Sequence, residues 1–356
     1  MGSDRFDLVV AFHQFSFLAT GICSTLGVQW LFYAGAASGS SFFTQLSGYT
    51  GSVLVGLLIP WMVSRRRALY QQSTCSSDKE KTDFMDNCSV IERTENYSKG
   101  GQAPVEGPVI HSTVAKLATI DVIAGSFVTF GFSLIGSGMY QVIFSSVVIW
   151  CAMLNYFLLH RVLSFWQWVA IFGTSAGLAL CAFENMTMPQ GSNMSGGLAF
   201  GTLMALGGTF LYACMYVYAD CILSKQKPPP LPVRLCFYNG LYTTMFALVY
   251  IGLYTVPHLD DMIHIQPDIT RWQIFTMYSF ITIVNATHSW NYYELIDRTG
   301  SVATGILQAV RAVLVYGISH LWYCANDSAQ CFTVKKGFGS LLVISCVLLY
   351  TYASKK

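Results

Sequence analysis

Charge is what this sequence is short of. Asp, Glu, Lys and Arg together make up only 11% of its 356 residues, against about 25% in an ordinary soluble domain. That shortage argues against a water-soluble globule and for a chain whose solvent is lipid. Net charge is only +2 and neither end carries an acidic or basic tail, so nothing suggests nucleic acid as a partner and none is expected. The 11 cysteines form no C-x-x-C pair and no Cys/His cluster with metal-ligand spacing, so no metal is expected. No nucleophile–base pairing and no phosphate-binding loop is visible either. "GSGMYQ" (136–141) is a tight turn between two apolar runs, too short for a nucleotide-binding glycine motif. Neither an enzyme nor a cofactor is expected.

Apolar residues are plentiful: 53% of the chain is hydrophobic and 15% aromatic. A spanning helix needs roughly 20 mostly apolar residues, and ten stretches qualify. They run near Leu8–Phe32, Phe43–Val63, Val114–Ile135, Met139–Leu159, Phe165–Phe183, Gly197–Ile222, Leu235–Val256, Trp272–Tyr292, Val302–Trp322 and Gly337–Tyr352. All faces of each run are apolar, without strict alternation, which favours helices over a barrel. The first run is too long for a signal peptide and lacks a small-residue cleavage site, so it reads as a true span. An all-α polytopic membrane protein with ten transmembrane helices is the expectation.

Orientation follows from the basic residues. Of the 20 lysines and arginines, Arg271, Lys335 and Lys336 fall on one side, Arg311 on neither, and the remaining sixteen on the other. The second side is read as cytosolic, together with both termini. Three sequons, at Asn185, Asn193 and Asn326, fall on the far side, where glycosylation is chemically open. Cys324 and Cys331 bracket the last far-side loop. A disulfide is one reading of them in an oxidising compartment, and two unlinked thiols the other.

The chain divides into 1–63 with two spans, a polar segment 64–113, 114–183 with three spans, and 184–356 with five. Segment 64–113 is rich in Ser, Gly, Asp, Glu and Lys, cannot bury enough apolar surface to offset its ordering entropy, and reads as a disordered cytosolic loop. "SKQKPPPLPVR" (224–234) is held extended by its prolines and links two halves. The halves look related. "QVIFSSVVIW" from Gln141 and "QAVRAVLVYG" from Gln308 are each followed by a polar break and a glycine-containing apolar helix. With five spans per half, the second must be inverted relative to the first, a signature of secondary transporters whose substrate site lies near mid-membrane. Gly173 with Gly177, and Gly197 with Gly201, have the spacing that lets helix backbones approach closely.

Arg311 sits near the middle of the ninth run. An arginine at the bilayer centre costs about 2.5–3.5 kcal/mol on insertion scales, so it must face protein or a wet cavity and find an acceptor there. Two readings stand side by side. Arg311 either pairs with Asp121, the one acidic residue well inside a span, for folding alone, or faces a central cavity and orients an anionic group. Thr282, Asn285, Ser289 and Tyr292, with His288 beside them, recur at helical steps, as do His13, Ser16, Thr20 and Ser24. Each stripe either lines a cavity or supplies interhelical hydrogen bonds. Tyr140, Gln141 and Gln308 complete the candidate substrate-binding set of Arg311, Gln141, Tyr140, Asn285, His288 and Gln308, with Asp121 as gating or charge partner. His13, His288 and His320 are candidates for proton carriage.

The stretch "DVIAGSFVTFGFSLIGSGMYQVIFSSVVIWCAMLNYFLLHRVLSFWQWVAIFGTSAGLAL" and the stretch "ILQAVRAVLVYGISHLWY" resemble the drug/metabolite transporter superfamily. They are most similar to the nucleotide-sugar-transporter-like solute carriers of family 35, the F subgroup. Asp121, Gln141, the His160–Arg161 pair and Arg311 carry the likeness. The resemblance implies ten helices in two inverted five-helix repeats and alternating-access transport of a small metabolite. Where relatives carry a second arginine after the helix-four glutamine, this chain has Phe144, leaving Arg311 as the single cationic anchor.

The expected function is therefore a secondary transporter or exchanger of a small, anionic metabolite of the nucleotide-sugar or phosphorylated class. A carrier of a cationic or neutral solute is the alternative within transport, and a non-transporting scaffold or receptor the alternative outside it. The partners implied are a small-molecule solute and the lipid bilayer, with a homodimer admissible. Far-side sequons suit the Golgi, the endoplasmic reticulum or another endomembrane.

Overall fold

The computed structural model describes residues 8–68, 106–160, 162–187, 195–325, 331 and 333–353, and among them every regular element is helical. Helix α1 is Leu8–Tyr33. Helix α2 is Phe43–Leu54, prolonged by a 3-10 turn, Val55–Leu58, into a span reaching Ala68. Helix α3 is His111–Ser145 and α4 is Val147–Leu154, ending in a π turn, Asn155–Leu159. Then come α5, Phe165–Thr187, α6, Ser195–Lys225, and α7, Pro232–Tyr250, with its own π turn, Ile251–Thr255. The short α8 is Leu259–Met262, α9 is Arg271–Tyr323 and α10 is Val334–Ala353. The polar segment is shorter than its composition suggests, because α2 continues to Ala68 and α3 begins at His111. Most of that segment, Asn193, Asn326 and the Asn185 side chain lie outside the described residues.

Polarity is distributed inside out. Leu57 is 79% exposed, while Gln141, Asn291, Thr243 and Ser301 are fully buried. In water so much exposed apolar surface would drive association; in lipid it is the required exterior, and many of the buried polar groups bond one another. Among the described residues six helices are long and apolar enough to cross a membrane, and two shorter apolar helices, Ile143–Leu159 and Gly337–Tyr350, accompany them. The chain is a helical membrane protein. Six is fewer than the ten runs counted along the sequence: two runs are continuous in Arg271–Tyr323, two form the shorter apolar helices, and Phe165–Thr187 is not among the six.

Those two helices, α3 and α9, are each broken once, by a glycine in nearly the same conformation. Gly136 has φ 73°, ψ 170° and Gly300 has φ 83°, ψ 170°. This region of backbone space is essentially closed to residues with a Cβ. The residue after each break is a serine whose exposed backbone N–H is capped from another helix. Ser137 N–H donates to Gln29 Oε1 of α1 at 2.8 Å, and Ser301 N–H donates to Asp220 Oδ2 of α6 at 2.9 Å. The segments beyond the breaks pack antiparallel. Ser137 meets Ser319, Ser145 donates to the Gln308 carbonyl, and Asn155 donates to Ser301 Oγ at 2.6 Å.

Outside this centre, α1 lies along the first leg of α9, α3 along α6, and α5 along α10. Small residues set these contacts. Gly177 abuts the Gly339 carbonyl, and Gly201 abuts Leu134 and Ile135. Gly197 does not share that role, because no atom lies within 4 Å of where its Cβ would be.

Candidate functional site

A cavity of about 220 Å3 lies at the meeting of α1, α2, α3, α6, α7 and both legs of α9. A neighbouring lobe of about 180 Å3 shares Ser24, Gly48, Tyr49, Tyr140, Tyr212, Asn285 and Arg311 with it. Asp121, Tyr140, Asn285, His288, Gln308 and Arg311 all line the larger lobe. They converge from α3 and from the two legs of α9, 190 residues apart in sequence at the extremes, Asp121 and Arg311. Gln141 does not join them. It is fully buried behind the wall, where its Nε2 donates to Thr25 Oγ1 at 3.0 Å. It therefore supports the site through Thr25, without facing a solute.

Arg311 is held by neutral groups. Nη1 donates to Gln308 Oε1 at 3.2 Å and Nη2 donates to Thr25 Oγ1, while Nε has no hydrogen-bond partner among the described residues. Gln308 is fixed in turn, its Nε2 donating to the Tyr216 hydroxyl at 2.9 Å. The guanidinium stem passes directly over Gly21 of α1, so a small residue one helix away makes room for it. Asp121 is not its partner. The Asp121 carboxylate accepts from Asn239 Nδ2 of α7 at 2.7 Å, and no ion pair joins it to Arg311. Of the two readings of the arginine, the folding-only pair is absent from this conformation, although both charges line one cavity.

The polar stripes on α1 and α9 face each other as a seam. His13 bonds to Asn291 at 2.6 Å, Thr20 to His288 at 3.2 Å, and Ser24 to Asn285 at 2.9 Å. Helix α2 joins from the other side, with Ser47 bonded to Thr282 and Ser52 to Ser289. Much of each stripe is thus interhelical hydrogen bonding, and only part of it opens on the cavity. His288 belongs to both, bonded to Thr20 and stacked on Phe17 at 4.3 Å while also lining the larger lobe. His13 does not reach the cavity wall.

Of the cavity's tyrosines the sequence reading picked out only Tyr140 and, in a polar stripe, Tyr292. Tyr49, Tyr212, Tyr216, Tyr292 and Tyr293 line the larger lobe along with Tyr140. Nothing in a chain with 20 tyrosines marks Tyr49, Tyr212, Tyr216 or Tyr293. Asn239 was missed because it stands alone in the apolar run of α7. On the far end of α9, Cys324 and Cys331 are joined by a disulfide.

No family model matches the chain, and no curated protein matches it. A solved structure described as "Crystal structure of protein" is similar in fold, with a TM-score of 0.57 over 98% of each chain at 12% identity. At that identity the likeness speaks to the path of the chain alone.

Proposed function

We propose that this chain is a secondary transporter of the drug/metabolite type, carrying a small metabolite with an anionic group across an endomembrane by alternating access, without chemical conversion. The observation that carries the reading is Arg311: a guanidinium in the middle of an apolar helix, lining a polar cavity built by helices of both halves of the chain. An arginine there is costly unless it serves a solute or a fixed partner, and its fixed partners here are neutral.

Ten crossings in two inverted repeats fit the same geometry. Helix α9, 53 residues long, would extend about 80 Å if straight, far more than one bilayer, and the break at Gly300 divides it into two spans. Helix α3 with α4 divides likewise at Gly136. Aligning these two breaks pairs Asp121 with Asn285, Gly125 with Ser289 and Phe144 with Gln308, and all six residues line the cavity or its neighbouring lobe. It also pairs the two capped serines, Ser137 and Ser301, and the two contacts Ser137–Ser319 and Asn155–Ser301. Such reciprocity is expected of repeats related by an axis in the membrane plane. It matches Gln308 with Phe144 and Arg311 with Val147, so the arginine has no cationic counterpart in the first half. Both termini would face the cytosol, and the disulfide suits the opposite, oxidising side.

The test is uptake into proteoliposomes. Saturable uptake that Arg311→Ala abolishes, with folded protein recovered in normal amount, supports the reading. Undiminished uptake by folded Arg311→Ala removes it. A cation carrier is the second reading, favoured by Asp121 on the same wall; it predicts that Asp121→Asn and not Arg311→Ala is inactive.

A further inference from the structure

We infer, resting on the transport reading above, that the solute of this cavity is a dipolar ion, its anionic group held by Arg311 and a cationic ammonium by Asp121. Among the lining residues these are the sole guanidinium and the sole carboxylate. Each is nine-tenths buried. Each has neutral partners only: Thr25 and Gln308 for the arginine, Asn239 for the aspartate. A buried charge so placed lacks the compensation that a pair would give it. Were the two there to neutralise each other, contact between them would be the least costly arrangement, yet the cavity separates them.

The wall between the charges divides into two poles. The Tyr49 and Tyr212 hydroxyls lie against Gly125, one turn along α3 from Asp121, and the Tyr216 hydroxyl accepts from Gln308, which holds Arg311. At the aspartate pole the hydroxyls of Tyr49, Tyr292 and Tyr293 and the Asn239 Oδ1 have no hydrogen-bond partner among the described residues. Unsatisfied buried polar groups in a native protein are few and each calls for an explanation. An ammonium supplies three donors for such acceptors, and aromatic faces attract it further. At the arginine pole the guanidinium lines the cavity while its Nε packs against Gly21, so its other N–H groups are the donors for an acceptor such as a carboxylate or phosphate oxygen. A plain anion would satisfy one pole and be repelled at the other; a plain cation would do the reverse. The lobes, about 220 and 180 Å3, together fall only at the low end of the roughly 300–1,000 Å3 of ligand pockets. The solute is therefore small, with its charges set apart on a short body.

Calorimetric titration of the purified full-length protein in lipid nanodiscs tests this with three probes of one chain length: 6-aminohexanoate, hexanoate and hexylamine. The flexible chain of the first lets its two charges reach separate poles. The expected result is binding of 6-aminohexanoate about tenfold or more tighter than either singly charged probe, as one charged hydrogen bond per pole provides. In Asp121→Asn the advantage over hexanoate disappears and that over hexylamine stays; in Arg311→Gln the pattern reverses. Equal affinities, tighter binding of hexanoate, or no binding of any probe by folded wild-type protein overturns the inference. The transport reading depends on a different result, Arg311-dependent uptake of solutes from a metabolite extract. A protein that carries a simple anion but shows no dipolar preference thus defeats this inference and leaves that reading standing.

Discussion

Arg311 and Gly21 are in contact across two helices: a Cβ placed on Gly21 would lie 2.9 Å from Nε and 3.0 Å from Cδ of the arginine. The position of the cavity's guanidinium is therefore set in part by the absence of a side chain on α1. Gly21→Ala should push the arginine aside. The clash is with a flexible side chain, so the overpacking cost falls at or below the about 1–3 kcal/mol of rigid cores, and the protein should fold. Uptake should suffer more than stability, because a displacement of about 1 Å in a binding group can cost up to a hundredfold. The check is a melting temperature near wild type beside an apparent KM raised roughly tenfold or more. Unchanged KM would show that the arginine's exact position is irrelevant to the solute.

The two helix breaks should be intolerant of any Cβ. At φ near 80° with ψ near 170°, as at Gly136 and Gly300, an L-residue pays about 1–3 kcal/mol of backbone strain. Gly317 is a control on the same helix, with nothing within 4 Å of its would-be Cβ. Gly317→Ala should be neutral or stabilising by about 0.5–1 kcal/mol, while Gly136→Ala and Gly300→Ala lower the melting temperature in detergent. Three equal outcomes would mean that the breaks bend freely.

The disulfide between Cys324 and Cys331 closes a loop of only a few residues. The chain-entropy relation gives such a short closure about 2.5 kcal/mol at most. Cys324→Ser with Cys331→Ser should lower stability by no more than that and leave uptake intact, since neither residue lines the cavity. Maleimide should label the pair only after reduction. Labelling without reductant would show the thiols unlinked.

Apolar run length made most spans legible, and the cost of an intramembrane charge made Arg311 legible, because both signals are local in sequence. Six of the seven residues singled out for the site do face one cavity. What could not be read was which side of a helix a polar residue presents to which neighbour. Gln141 looked equivalent to Gln308 by its surrounding letters, yet it faces Thr25 behind the wall. Asp121 looked like a partner for Arg311, yet Asn239 takes it. Tyr49, Tyr212, Tyr216 and Tyr293 went unseen because an aromatic in lipid, in a helix interface or on a cavity wall is the same letter. Gly136 was read as part of an ordinary tight turn and Gly300 was not singled out, since a positive φ leaves no mark beyond the glycine itself.

Gln308 offers a way to separate a binding arginine from a structural one. Its Oε1 accepts from Arg311 Nη1 at 3.2 Å and its Nε2 donates to the Tyr216 hydroxyl at 2.9 Å. Gln308→Glu keeps the shape and keeps an acceptor toward the arginine, but places a carboxylate beside it. If Arg311 serves only packing, that charge partner relieves a buried cation and nothing is lost. If Arg311 is the anchor for an anionic group, the new carboxylate occupies its place, and the solute's own anion meets a neutralised site. The Tyr216 hydroxyl then turns from accepting to donating, which a hydroxyl does without moving its ring. The expected outcome is a melting temperature equal to or above wild type together with loss of uptake, while Gln308→Met, which lacks the charge, keeps a measurable fraction. Full uptake by Gln308→Glu would show that the guanidinium is not what the solute meets.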